Sequence, residues 1–264
     1  MTLQTAHRIA ELAAPPAWRT VDFISDLHLG ADDPATFAAW RNYLQTTPAD
    51  AVFILGDLFE VWVGDDLVAN AARADATFEG RCAAELHEVA KRLALFFMHG
   101  NRDFLVGPAF MALCDATLLG DPTVLTFAGR RWLLSHGDAL CTGDTDYMQF
   151  RRQVRGQDWQ RDFLARPLAE RQEIARDIRR QSEARKRSGI DYGEVDAAAA
   201  RELLEAAHAR TLIHGHTHKP AEHDLGDGFS RVVLSDWDAR AGVPRADVLR
   251  LDAGGLRRIA LLAS

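Results

Sequence analysis

Short apolar runs, each stopped by a polar, glycine-containing cluster, set the rhythm of this chain. Val21-Asp22-Phe23-Ile24-Ser25 runs into Asp26-Leu27-His28-Leu29-Gly30. Ala51-Val52-Phe53-Ile54-Leu55 ends in Gly56-Asp57-Leu58-Phe59-Glu60, and Leu93-Ala94-Leu95-Phe96-Phe97-Met98 in His99-Gly100-Asn101-Arg102-Asp103. Arg131-Trp132-Leu133-Leu134-Ser135 gives way to His136-Gly137-Asp138, and Thr211-Leu212-Ile213 to His214-Gly215-His216-Thr217-His218. Runs this short, rich in β-branched and aromatic residues and bounded by turn residues, predict buried strands. Between them, Pro34 to Leu44 and Thr77 to Arg92 space their apolar residues as helices do. Alternating strands and helices predict a layered α/β domain. Leu118 to Phe127 adds a strand joined to Arg131–Ser135 by a Gly129-Arg130 turn. Arg231–Leu234 and Ala246–Leu251 suggest an antiparallel sheet in the tail.

The rhythm breaks between Asp144 and about Arg187. Tyr147, Phe150, Trp159, Phe163, Leu164, Leu168, Ile174 and Ile178 sit there among arginines with no strand pattern, and Pro167 opens a helix. A further helix, roughly Glu194 to Ala207, leads back to the histidine-ended strand. Residues 144–208 are therefore expected to form a helical cap inserted into a core of 20–143 and 209–264, with 1–19 as an N-terminal extension.

In open α/β sheets ligands collect outside the carboxyl ends of the strands. At those ends stand Asp26, His28, Asp57, Asn101, His136, His216 and His218. The set is oxygen and imidazole with no thiolate, which suits Mn²⁺, Fe²⁺, Co²⁺ or Zn²⁺ better than Ca²⁺ or Cu(I). Seven side chains exceed what one ion needs, and two ions about 3.5–4 Å apart sharing one carboxylate would use them all. Asp57 is the expected bridge. Such a pair lowers the pKa of a bridging water, clamps a phosphoryl oxygen and neutralises charge at phosphorus during in-line attack. The bland alternative is a surface histidine cluster. Glu60 reads as a solvated side chain, with holding a neighbouring group as the alternative, and Cys141 as a small buried residue.

Charge sharpens this picture. The formal charge is −7, yet Arg151 to Arg187 holds twelve Arg/Lys against six Asp/Glu. A basic segment on an acidic protein suggests a docking surface for anions, against the alternative of a helix laced with ion pairs. A net acidic chain with one basic segment disfavours a nucleic-acid partner, and no obligate protein partner is evident. Three scattered cysteines form no disulfide framework and fit a reducing compartment. No signal peptide or membrane-length apolar run is present, so a soluble or peripheral protein is expected.

Asp26-x-His28, Gly56-Asp57, Gly100-Asn101, His136 and Gly215-His216-Thr217-His218, in that order, resemble the calcineurin-like metallophosphoesterase superfamily. The resemblance implies a four-layer αββα fold. It also implies one metal at Asp26, His28, Asp57 and His218 and another at Asp57, Asn101, His136 and His216. Many members carry histidine after the motif asparagine, where this chain has Arg102. Arginine stays charged and forks onto phosphate oxygens, but it is a poor proton donor. A leaving group that is already good, such as a nucleoside monophosphate, needs no donor, so a pyrophosphate is favoured over an alkyl phosphate. The structural alternative for Arg102 is an ion pair with Asp103.

The longer match resembles the UDP-2,3-diacylglucosamine diphosphatase family of lipid A biosynthesis. It runs through Gly56-Asp57-Leu58-Phe59-Glu60-Val61-Trp62, Gly64-Asp65-Asp66, His99 to Leu105 and His136 to Thr142. It implies two Mn²⁺ ions, an acylated UDP-sugar lipid as substrate, release of UMP, and a site on the cytoplasmic face of the inner membrane. Asp57, Asn101, Arg102 and His136 would be catalytic. Asn101, Arg102, Asp144, Ser182, Lys186, His214 and His216 would meet the substrate, although Gly189 to Gly193 departs from the pattern. Two rival readings are a nucleotide pyrophosphatase or phosphodiesterase acting on soluble compounds, and a non-catalytic scaffold of the same fold.

Overall fold

A computed structural model describes residues 9–68, 77–187 and 193–262. Met1 to Arg8 and the Gly189–Tyr192 part of the departing stretch lie outside them, as do the side chains of Ser182 and Lys186.

Two six-stranded mixed sheets stack face to face. One runs β12 (Gly255–Ala260), β11 (Asp247–Asp252), β2 (Thr20–Ile24), β3 (Ala51–Ile54), β4 (Ala94–Met98), β5 (Thr117–Leu119). The other runs β1 (Ala10–Ala13), β6 (Thr123–Phe127), β7 (Arg130–Ser135), β8 (Thr211–His214), β10 (Phe229–Val233), β9 (Glu222–Gly226). Strands β2 to β5 are parallel, as are β7, β8 and β10.

Side chains alternate across each strand, which explains the unbroken apolar runs: both faces are covered. Val21, Phe23, Phe53 and Phe96 point inward to meet Leu125, Trp132, Leu134 and Ile213 of the other sheet. Phe53 and Phe96 stack with centroids 4.6 Å apart. Ile24, Val52 and Ile54 point outward, under α1 (Pro34–Thr46) and α2 (Phe78–Ala90), against Trp40, Leu86 and Val89. Val124, Leu133 and Leu212 face Ala200 and Leu204 of α7 (Ala197–Ala206). The layers are thus α, β, β, α. One outward position on β2 is charged: Asp22 is fully buried and paired with its register partner Arg250 at 2.7 and 2.8 Å. Tyr43 and Thr47 donate to the same carboxylate, so the buried charge is completely satisfied.

Four details differ from the sequence pattern. The stretch from Leu118 to Phe127 is two strands, split at Gly120-Asp121-Pro122, because proline cannot donate to a ladder. A helix not marked by periodicity, α3 (Pro108–Cys114), follows β4. The tail is not one antiparallel sheet: β9 and β10 extend one sheet, while β11 and β12 close the edge of the other. Residues 10–13 are no mere extension, since they pair in parallel with β6 at the sheet edge.

Between β7 and β8 lie α4 (Thr145–Val154), α5 (Gln157–Leu164), α6 (Leu168–Arg187) and α7. Phe163 is buried in the outer core, with Trp159, Leu168 and Ile174 packed against it. Arginines fasten these helices to the loops at the strand ends. Arg155 donates to the Gly100 carbonyl at 2.8 Å, and Arg171 donates to the Val63 carbonyl and pairs with Asp66. Part of the basic segment is therefore spent on attachment. Among the described residues no helix is long and apolar enough to cross a membrane.

Candidate metal centre

The carboxyl ends of β2, β3, β4, β7 and β8 deliver the seven expected donors to one place. Strands β2, β3 and β8 stop in turns tighter than ordinary residues favour. Asp26, His28, Asp57, His216 and His218 all adopt positive φ, between 48° and 69°. Left-handed backbone at non-glycine residues carries strain and persists only where surroundings enforce it. Close approach demands glycine at two points. A Cβ on Gly100 would collide with the Asp57 carboxylate, and one on Gly215 with Ser25 and Asp26.

Two groups of ligand atoms form there. Asp26, His28 and His218 lie within 4.8 Å of one another, and so do Asp26, Asp57 and His136. The His28 and His218 Nε2 atoms approach to 3.2 Å. Asp26 belongs to both groups. Asp57, in the second, also reaches toward the first: its Oδ2 is 4.0 Å from His28 Nε2 and its Oδ1 3.9 Å from His136 Nε2. Asn101 Oδ1 is 3.0 Å from His136 Nε2 and 2.8 Å from His216 Nδ1. Every expected donor is therefore part of the convergence.

The electrostatics fit a cation. Burial would lower the pKa of His136, yet Asp57, Asp138 and Asp26 push it up to about 9. Burial would likewise lower His28, but Glu60 and Asp57 raise it. Burial would raise Asp26, but His218, His136 and His28 hold its carboxyl below the usual range. His216 is pushed down to about 4 by burial and by His136. The buried carboxylates thus require nearby positive charge, and divalent ions supply it while displacing imidazole protons.

Buried neighbours aim the donors. His136 Nδ1 donates to the Leu55 carbonyl at 2.9 Å, leaving Nε2 for the centre. Asp26 accepts from the Ser25 hydroxyl at 2.5 Å and from the His216 amide at 2.9 Å. Asp103, fully buried, accepts from the amides of Gly100 and Leu58 at 2.8 Å each and of Asp57 at 3.3 Å, tying two loops together. Burial and the Asp57 charge push its pKa up to about 7. Asp138 is buried too, accepting from Tyr147 at 2.7 Å and Arg151 at 2.8 Å. The Tyr147 ring stacks on His216 at 5.8 Å.

Arg102 sits at the rim. It is not paired with Asp103, whose carboxylate points at backbone amides. Its amide donates to Asp57 Oδ1 at 2.8 Å, and its guanidinium lies 3.7 Å from Glu60. His214, expected among the substrate contacts or in a plain structural role, is fully buried, between the Gly215 carbonyl at 2.9 Å and Arg231 at 3.3 Å. Asp144 caps α4 through the Tyr147 amide at 3.0 Å. Glu60, Asp138, Tyr147 and Arg179 are the neighbours that sequence reasoning missed. Only the Gly137-Asp138 dipeptide beside a strand-end histidine hinted at them.

The model of the calcineurin-like phosphoesterase family matches residues 19–220. A UDP-2,3-diacylglucosamine hydrolase of Chromobacterium violaceum is 47% identical over 91% of this chain and 98% of its own length. One from Ralstonia nicotianae is 46% identical over 89% of this chain and 90% of its own. One from Chromohalobacter salexigens is 40% identical over 83% and 89%. With the motif order, the two-sheet fold and the donor cluster in agreement, this chain belongs to the calcineurin-like phosphoesterase family.

Proposed function

We propose that this chain hydrolyses the pyrophosphate bond of UDP-2,3-diacylglucosamine, giving UMP and 2,3-diacylglucosamine 1-phosphate. The observation that carries the reading is the meeting of seven donors around Asp57 with Arg102 on the rim. Relatives of that name, 46% and 47% identical, support the substrate.

Asp26, His28, Asp57 and His218 would hold one ion; Asp57, Asn101, His136 and His216 would hold the other. Mixed imidazole and carboxylate donors suit Mn²⁺, which is the ion we assign. Bound metal supplies an activated water and electrostatic stabilisation of the phosphoryl group. The chain's own residues do the rest. Arg102, always charged, grips non-bridging oxygens and offsets charge on the departing group. Attack at the uridine-side phosphorus makes the sugar 1-phosphate the leaving group. It is a phosphate monoester, so the absence of a proton-donating histidine at position 102 costs nothing.

Residues 144–208 serve in this reading as the cap over the acylated sugar, with Asp144 near the sugar or its phosphate. Leu164 is 43% exposed there, whereas Phe163 is committed to the core. A lipid substrate places the working enzyme at the cytoplasmic face of the inner membrane, with the basic helices toward anionic headgroups.

The test is UMP release from the acylated substrate with Mn²⁺, beside the deacylated analogue and the variant Asp57→Ala. Release is expected from the acylated compound alone, and none from the variant. Equal rates on both compounds would defeat the lipid assignment, and full activity in Asp57→Ala would defeat the metal assignment.

A further inference from the structure

Glu60 lies on the loop after β3, drawn beside the β2 loop by a hydrogen bond from its amide to the Leu29 carbonyl at 3.2 Å. Its side chain is 21% exposed, and its two oxygens face different partners. Oε2 is 3.2 Å from His28 Nδ1, close but off the hydrogen-bond axis. Oε1 is 3.2 Å from Arg179 Nε and 3.7 Å from Arg102 Nη1. One carboxylate thus touches a ring of the donor cluster, the rim arginine, and an arginine of α6. Arg102 Nε is buried without a hydrogen-bond partner, so this guanidinium has a donor unspent.

A solvated surface glutamate would not gather three cationic or cation-capable groups from three separate segments. Each contact has a distinct physical consequence. A carboxylate 3.2 Å from Nδ1 favours a proton on that nitrogen and leaves Nε2 free to face the centre. A carboxylate between two guanidiniums offsets their repulsion and holds both long side chains in one geometry.

We propose that Glu60 is a positioning residue with two separable tasks, aiming His28 at the metal site through one oxygen and holding Arg102 and Arg179 over the centre through the other. α6 is then coupled to the metal centre through the Glu60 side chain. The inference rests on the phosphohydrolase reading for its second task but not for its first.

Full-length Glu60→Ala, Glu60→Gln, Arg179→Ala and the Glu60→Gln/Arg179→Ala double variant test it. Circular dichroism and melting first show that each is folded. Calorimetric titration of chelator-stripped protein with Mn²⁺ then reads the first task. Glu60→Ala should weaken binding about 10–100-fold. Glu60→Gln, which keeps an oxygen for the Nδ1 proton, should recover most of that affinity. Steady-state kinetics on the acylated UDP-sugar read the second. Glu60→Gln and Arg179→Ala should each raise KM more than they lower kcat, and the double variant should be no worse than the poorer single. Unchanged Mn²⁺ affinity in Glu60→Ala, no recovery in Glu60→Gln, or fully multiplicative KM effects would each overturn the proposal. If wild-type protein fails to turn over the substrate, the substrate reading falls, while the Mn²⁺ titration still decides the first task.

Discussion

At the scale of single residues, burial decides chemistry more than identity does. The thiol of Cys141 is pushed up to about 12 by burial and by Asp138, and burial also raises those of Cys82 and Cys114. A raised pKa keeps each thiol protonated near neutrality, and only the thiolate is a nucleophile. Native protein at about pH 8 should therefore leave a thiol-reactive dye unconsumed, while denatured protein should react at three positions. Rapid labelling of native protein would contradict the burial of these side chains. The inert reading of Cys141 was legible in the sequence, because no base or metal-ligand spacing surrounds it. Glu60 was legible only as a residue that could hold some neighbour, not which one. Its carboxylate matters only because Leu29 bridges to Phe59 and lays two loops side by side, a pairing that no local pattern encodes. Arg102 shows the same limit. The structural alternative of an ion pair with Asp103 drops out, because the Asp103 side chain turns inward to backbone amides, but the sequence did not show that Glu60 would be the neighbour.

Elements were legible where both faces of a strand are buried. The runs ending at Asp26, Asp57, Asn101, His136 and His216 read as strands because continuous apolar sequence has few other uses in a layered domain. Edge elements were not legible. The first strand, Ala10-Glu11-Leu12-Ala13, is short, partly charged and mostly exposed, as edge strands are. It covers β6 in register from Ala10 opposite Thr123 to Ala13 opposite Thr126, and Leu12 packs on the core between the sheets. Deleting residues 1–13 should cost about 1–2 kcal/mol, since Leu12 is partly buried and full burial of a leucine is worth about 1.5–3 kcal/mol. It should also bare the edge of β6 and promote self-association. kcat should persist, since no centre-lining residue comes from β1. Urea denaturation, light scattering and activity measured together check this. Unchanged stability with no association would show that the strand contributes nothing to the sheet.

At the scale of the whole molecule, two sheets bring their strand ends to one edge and hold five donor-bearing residues in left-handed backbone. The sequence revealed this centre because each donor follows directly on a strand, and parallel strands put their carboxyl ends together. It hid the arginine attachments of α4 to α6, since which arginine meets which loop depends on how the helices fold back. Strained turns of this kind cost about 1–3 kcal/mol each, and the mutual repulsion of Asp26 and Asp57 adds to it. Divalent ions that bind only the folded arrangement should offset that cost. At a hundredfold excess over its Kd a ligand stabilises by about 2.7 kcal/mol. For a chain of this size each kcal/mol moves Tm by about 2–4 °C, so Mn²⁺ should raise the Tm of chelator-stripped protein by about 5–10 °C. Mg²⁺ should do less, because imidazole donors suit it poorly. In Asp57→Ala, which removes the carboxylate that reaches toward both imidazole sets, most of the Mn²⁺ shift should vanish even though the repulsion between Asp26 and Asp57 has been relieved. Calorimetric melting of both proteins, with and without metal, separates these effects. Equal Mn²⁺ shifts in wild type and variant would mean that Asp57 does not join the two groups of donors.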